Sequence, residues 1–159
     1  MKKTAVFPGS FDPITVGHES IISRASDIFD NIIVAIGVNA DKKCLFPLEK
    51  RMEWVKKTVS KYKNITVDTY SELTVDYCKK QNAQYIIRGL RTSADFEFER
   101  CIAQTNKMLL SDIENIFFLS QPEHSSVSSS VVREILQYKG NIEKFVPKGL
   151  SKEMEEFLQ

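Results

Sequence analysis

Short apolar runs alternate with longer amphipathic runs along this chain. Residues 4–7 read as a strand that stops at the Pro8-Gly9 turn. Residues 17–29 read as a helix, because Ile21, Ile22, Ala25, Ile28 and Phe29 recur on one helical face. Residues 31–38 are rich in β-branched side chains and nearly all apolar, the pattern of a strand buried on both faces. Residues 48–62 place Leu48, Met52, Val55 and Val59 on one stripe of a second helix. The alternation continues with a strand at 65–69, a helix at 73–81, a strand at 83–88 and a long helix at about 92–110. A fifth strand at 115–119 precedes a helix at about 128–138, with Gly140 as its expected C-cap. Residues 150–158 close the chain as a short amphipathic helix.

This order predicts an α/β fold: an open, mainly parallel five-stranded sheet, reached by right-handed crossovers, with helices on both faces. The 159 residues fit a single domain spanning 1–159. Hydrophobic residues at 42% and charged residues at 27% describe an ordinary globular chain and argue against disorder. A net charge of +1 provides no broad basic field for nucleic acid or an anionic membrane. Three dispersed cysteines, Cys44, Cys78 and Cys101, form no C-x-x-C pair and no disulfide framework. With only two histidines, a zinc site is not expected. The longest apolar stretch, 32–38, is far shorter than the roughly 18 residues of a membrane span, so a cytoplasmic location is expected. The lysines of 56–63 read as a solvated helix face.

Open α/β sheets bind ligands beyond the carboxyl ends of their strands. There the chain places Pro8 to His18, then Asn39 to Lys43, Ser71 to Thr74, Arg88 to Arg91, and His124 to Ser130. Cations, histidines and hydroxyl groups dominate this rim, which suits phosphate. His18 follows Gly17 at a helix start, where free N–H groups and the helix dipole favour an anion; a purely structural histidine is the alternative. Arg88 leaves a buried strand and needs an anion, either phosphate or one of Asp95, Glu97 and Glu99. Ser128, Ser129 and Ser130 exceed what an N-cap requires, and the surplus hydroxyls suit a polyphosphate. Phe96, Phe98, Ile102, Met108 and Leu109 spread around more than one helix face, as at a subunit interface or on a broad core stripe.

Gly9-Ser10-Phe11-Asp12-Pro13, with Thr15-Val16-Gly17-His18, resembles the first signature of the T/H-x-G-H nucleotidyltransferases. The run Val127-Ser128-Ser129-Ser130-Val131-Val132-Arg133 is similar to their second signature. Arg88-Gly89-Leu90-Arg91, followed by Asp95-Phe96-Glu97 and Glu99, narrows the resemblance to the bacterial phosphopantetheine adenylyltransferase family over nearly the whole chain. The resemblance implies a Rossmann-like fold, a homohexamer, and magnesium accompanying the nucleotide. It implies reversible adenylyl transfer from ATP to phosphopantetheine, giving dephospho-CoA and pyrophosphate in coenzyme A biosynthesis. By position it implies that Ser10, Lys42, Thr74 and Arg88 bind phosphopantetheine. It likewise implies ATP contacts from Ser10, Phe11, His18, Gly89, Leu90, Arg91, Glu99, His124, Ser125, Ser126, Val127, Ser128, Ser129 and Ser130, with His18 as transition-state stabiliser. No protein ligand for the metal is evident. The chain departs from the family pattern at Ser10, where threonine is frequent, at His124 and Ser126, where aromatics are frequent, and at Val127, which replaces isoleucine.

Such chemistry needs no general base, because a phosphate monoester with a second pKa near about 6 is already a nucleophile at neutral pH. Its difficulty is repulsion: like charges about 4 Å apart cost about 4 kcal/mol per pair at an effective dielectric of about 20. Lys42 and Arg88 are expected to offset this on the acceptor side, and His18, Arg91, the serine-rich helix start and magnesium on the ATP side. Direct in-line attack then needs no covalent intermediate. The alternatives are a related nucleotidyltransferase acting on nicotinamide mononucleotide or a phosphorylated alcohol, and a non-catalytic nucleotide-binding module.

Overall fold

The computed structural model describes residues 2–39 and 43–158. Five strands, β1 (Thr4–Gly9), β2 (Asn31–Gly37), β3 (Ile65–Tyr70), β4 (Tyr85–Leu90) and β5 (Glu114–Leu119), form one sheet in the order β3-β2-β1-β4-β5. All four pairings are parallel. The helices are α1 (Val16–Ser26), α2 (Leu48–Val59), α3 (Thr74–Lys80), α4 (Ser93–Leu109), α5 (Ser129–Gln137) and α6 (Ser151–Phe157). Because β1 pairs with both β2 and β4, the strand order reverses direction beside β1, which opens a crevice at the carboxyl edge there.

Central strands are apolar on both sides because helices cover both faces. Ala5, Val34 and Ile36 face a cluster containing Ile22 and Ala25 of α1, Trp54 and Val55 of α2, Val132 of α5 and Met154 of α6. Val6, Ala35 and Ile86 face the other cluster, with Val75, Tyr77 and Cys78 of α3 and Ile113. Helix α4 departs from this pattern: its only buried residue is Glu99. The broad core stripe is therefore absent from that helix, and Phe98 and Met108 are 66% and 88% exposed.

Several boundaries differ from the sequence expectation for identifiable reasons. Arg88, Gly89 and Leu90 belong to β4, because they pair with Phe117, Phe118 and Leu119 of β5. Helix α1 stops at Ser26, leaving Ile28 exposed. Gly140 is not the left-handed residue that ends α5. Lys139 takes that conformation (φ 55°), and Gly140 follows it, donating its N–H to the Ile135 carbonyl at 2.9 Å.

The segment after β1 is held from three directions. Buried Asp12 accepts the N–H groups of Leu45 (2.8 Å) and Phe46 (2.9 Å). Arg51 of α2, itself buried, donates to the carbonyls of Ser10 (2.7 Å) and Phe46 (3.0 Å). From α5, Arg133 donates to the Asp12 carbonyl and Ser129 to the Pro13 carbonyl, both at 2.8 Å. Asp12→Ala leaves two N–H groups without their charged acceptor and is expected to lower the unfolding free energy by about 3 kcal/mol. Urea denaturation of the variant measures this, and a loss below about 1 kcal/mol would remove Asp12 from the role.

Candidate active site

Two cavities meet at the β1/β4 reversal. The first, of about 290 Å³, is lined by Phe7, Pro8 and Gly9 of β1, Gly17 and His18 of α1, Arg88, Gly89 and Arg91, Glu99, and Val127, Ser128 and Ser129. The second, of about 790 Å³, is lined by Pro8, Gly9, Ser10, Val38, Tyr70, Leu73, Thr74 and Arg88. Pro8, Gly9 and Arg88 belong to both walls. Where β4 passes α1, a Cβ on Gly89 would lie 2.5 Å from Ile21 Cδ1, so any larger residue there would displace the tip of that side chain.

The spacing of Thr15 and His18 has a local cause. Thr15 is the N-cap of α1 and His18 is the third residue inside the helix. The His18 N–H donates to Thr15 Oγ1 (3.4 Å), and the Thr15 N–H donates to His18 Nδ1 (3.0 Å). This is a capping box with imidazole in place of the usual glutamate. Because Nδ1 accepts a backbone N–H, it carries no proton, and the neutral ring keeps its hydrogen on Nε2. Burial against Phe11 and Phe7, then the positive charges of Arg91 and Arg88, lower the His18 pKa to about 4. His18 is therefore a neutral donor at pH 7.

Arg88 is clamped within the crevice. Its Nε donates to Glu99 Oε2 (2.8 Å), Nη2 donates to Glu99 Oε1, and Nη1 donates to the Pro8 carbonyl (3.1 Å). The anion that Arg88 needed is thus Glu99, which lies beside it at the cavity wall. Arg91 pairs with Asp95, its Nε donating to Oδ2 at 3.1 Å. The serine hydroxyls are also engaged within the chain: Ser128 caps α5 by accepting the Val131 N–H, Ser129 reaches Pro13, and Ser130 accepts from Arg133. What remains for an anion is the start of α5, whose first N–H groups have no carbonyl partner inside the helix.

Comparison with known proteins places this arrangement. A family model described as Cytidylyltransferase-like matches residues 6–135. The phosphopantetheine adenylyltransferase of Flavobacterium johnsoniae is 51% identical over 145 residues, covering 91% of this chain and 95% of that protein. The one from Carboxydothermus hydrogenoformans is 47% identical over 157 residues, covering 99% and 97%. The chain belongs to the phosphopantetheine adenylyltransferase family. Its fold is shared with more distant enzymes. The Plasmodium falciparum nicotinic acid mononucleotide adenylyltransferase, solved with NaAD, superposes with a TM-score of 0.73 at 17% identity, covering 99% of this chain and 96% of that one. A bifunctional NMN adenylyltransferase/ADP ribose pyrophosphatase from Francisella tularensis gives 0.74 at 13% identity, covering 99% and 49%. These likenesses establish the Rossmann-like fold.

In this phosphopantetheine adenylyltransferase family member, the crevice gathers His18, Gly89, Arg91, Glu99, Val127, Ser128 and Ser129 in one cavity, and Ser10, Thr74 and Arg88 in the other. Lys42 lies outside the described residues. Phe11, expected at ATP, has a buried side chain whose ring centroid lies 5.0 Å from that of His18, and it lines neither cavity. Leu90 is also buried and lines a separate hollow with Thr92, Phe96 and Leu119. His124, Ser125, Ser126 and Ser130 lie outside the lining of the first cavity. Sequence reasoning missed Thr15 as the partner of His18, although an N-cap residue three positions before it was the available signal. It also missed Tyr70, whose hydroxyl lies 3.0 Å from Thr74 Oγ1.

A lowered histidine pKa means that the unfolded chain takes up the proton first, so this contribution to stability is complete above 6.5 and fades as pH falls toward 4. Long-range ¹⁵N–¹H correlation spectra are expected to show His18 neutral, with Nδ1 bare, from pH 8 down to about 5.5. A His18 ring that titrates near 6.5 would contradict this state.

Proposed function

We propose that ATP lies in the cavity of His18 and Arg91 and phosphopantetheine in the cavity of Ser10 and Thr74, with the reacting phosphates meeting at Arg88. The single observation that carries this reading is the shared wall: two separate cavities adjoin through Pro8, Gly9 and Arg88. A non-catalytic nucleotide module has no need of the second cavity. An acceptor phosphate oxygen attacks the α-phosphorus of ATP, the bond to the bridging oxygen breaks, and pyrophosphate leaves. His18 donates its Nε2–H to the oxygens of the α-phosphate as their charge develops, while Arg88 holds the acceptor phosphate. Lys42 serves the acceptor side. The segment 124–130 encloses the nucleotide from the α5 side.

Among the described residues no group of three or more His, Cys, Asp or Glu side chains is placed to hold a metal. In this reading magnesium would be held by the nucleotide phosphates and water, and would supply charge neutralisation there when bound. No helix among the described residues is long and apolar enough to cross a membrane. The exposed apolar side chains Phe98, Met108 and Leu109 of α4, together with exposed Leu119 on the edge strand β5, support assembly into a homohexamer.

A pyrophosphate-release assay with ATP and magnesium tests the acceptor. Turnover is expected with phosphopantetheine, and little with nicotinamide mononucleotide or with no acceptor. Equal rates on nicotinamide mononucleotide would favour the related-enzyme reading. His18→Ala is expected to lower kcat by about 10²–10³-fold with little change in ATP affinity. A variant that keeps near-normal kcat would exclude His18 from the transition state.

A further inference from the structure

We infer that Tyr70 is a specificity-determining residue of the second cavity: its hydroxyl, paired with that of Thr74, reads an amide of the acceptor's arm. The inference rests on the proposed placement of phosphopantetheine in that cavity. Tyr70 and Thr74 line the second cavity and not the first.

Tyr70 is the last residue of β3 and Thr74 the first of α3. The turn between them brings their hydroxyl oxygens to 3.0 Å. The Tyr70 ring is fixed without help from a ligand. The Val38 N–H donates to the Tyr70 carbonyl at 2.7 Å, which ties that backbone to the end of β2. Gly37 stands opposite Tyr70 in the parallel register, and the phenol lies against it, with Oη 3.6 Å from where a Cβ would stand. Tyr77 stacks on the Tyr70 ring, 4.9 Å between centroids at 28°. Tyr77 is itself buried and donates its hydroxyl to Asp68 Oδ2 at 2.6 Å. Strand β2 and helix α3 therefore both support the ring.

Counting hydrogens shows what this wall asks of a ligand. Two hydroxyl groups that face each other share one hydrogen bond and leave one hydrogen over. Neither hydroxyl has another hydrogen-bond partner among the described residues. The pair thus keeps one O–H donor and several unfilled lone pairs at the cavity wall. An arm that was apolar throughout would seal that hydrogen away from water and strand it. A secondary amide supplies both missing partners, a carbonyl to accept and an N–H to donate. The arm of phosphopantetheine carries two such amides separated by methylene groups. That alternation suits a wall which combines the hydroxyl pair with the exposed apolar side chains Val38 and Leu73. Arg88, in the same cavity, serves the phosphate at the other end of the molecule. A tyrosine kept only for its ring would be replaceable by phenylalanine.

The test sets Y70F against altered acceptors, with full-length enzyme in the pyrophosphate-release assay. The acceptors are phosphopantetheine and two analogues, each with one amide replaced by a trans-alkene of the same shape. Y70F keeps the ring and its stack on Tyr77 and removes only the oxygen. It is expected to raise the phosphopantetheine KM about tenfold, with kcat and the ATP KM changed less than about twofold. With wild-type enzyme at least one analogue is expected to lose about tenfold in kcat/KM, and in Y70F that penalty is expected to fall below about twofold. T74V is expected to shrink the same penalty, and it carries the test if Y70F does not fold. Equal discrimination by wild type and variant against both analogues overturns the inference, because the hydroxyls then only satisfy each other. An unchanged phosphopantetheine KM in Y70F, or a raised ATP KM in its place, overturns it as well. Those results leave the functional reading standing, since wild-type turnover is normal in each. Wild-type enzyme that does not adenylylate phosphopantetheine removes the functional reading, and this inference with it.

Discussion

The site depends first on a buried carboxylate that lies outside the lining of both cavities. Asp12 sits almost wholly out of water and accepts two backbone N–H groups from the 45–46 segment. Through those bonds the chain after β1 is tied to the chain after β2. Arg51 and Arg133 add guanidinium bonds to carbonyls of the same segment, and Ser129 adds a hydroxyl. Backbone that leaves a sheet normally runs over the surface and moves. Here it is pinned on three sides, which gives Thr15 a fixed place at the start of α1 and so gives His18 a fixed ring. The two signature segments are not independent contributors to the crevice: the second holds the first in shape.

Electrostatics follows the same economy. Each guanidinium that lines the first cavity has its own carboxylate, Glu99 for Arg88 and Asp95 for Arg91. The imidazole between them is neutral. The crevice is therefore rich in directed N–H donors and poor in net charge. Donors fixed in a partly dry cavity stabilise a developing negative charge without having to reorganise. This differs from a pool of mobile lysines, which screens charge everywhere and orients nothing.

Much of the fold was legible in the chain because its β-strands are short, apolar and bounded by turns. Residues 31–38 and 65–69 carried that pattern clearly, and both became strands of nearly those lengths. Pairing decided what local pattern could not. Arg88, Gly89 and Leu90 look like the start of a loop until β5 lies beside them. Lys139 in the left-handed conformation was unreadable because the neighbouring glycine offered a more ordinary ending. At the site, residue types announced phosphate chemistry, but their protonation and partners are properties of the folded environment. The guanidinium charges that help keep His18 neutral come from Arg91 and Arg88, which lie far from it in sequence. The engagement of the serine hydroxyls was equally hidden, since Ser129 reaches across 116 positions to Pro13.

The self-paired guanidinium groups have a consequence for the end of the reaction cycle. A pocket that cancelled every negative charge with an unshared cation would grip pyrophosphate and the adenylylated product as firmly as the reactants, and departure would throttle the enzyme. Lending each guanidinium its own counter-ion keeps that grip shallow. Both products can then leave, and both can return, so the flow of material through the crevice follows supply on either side.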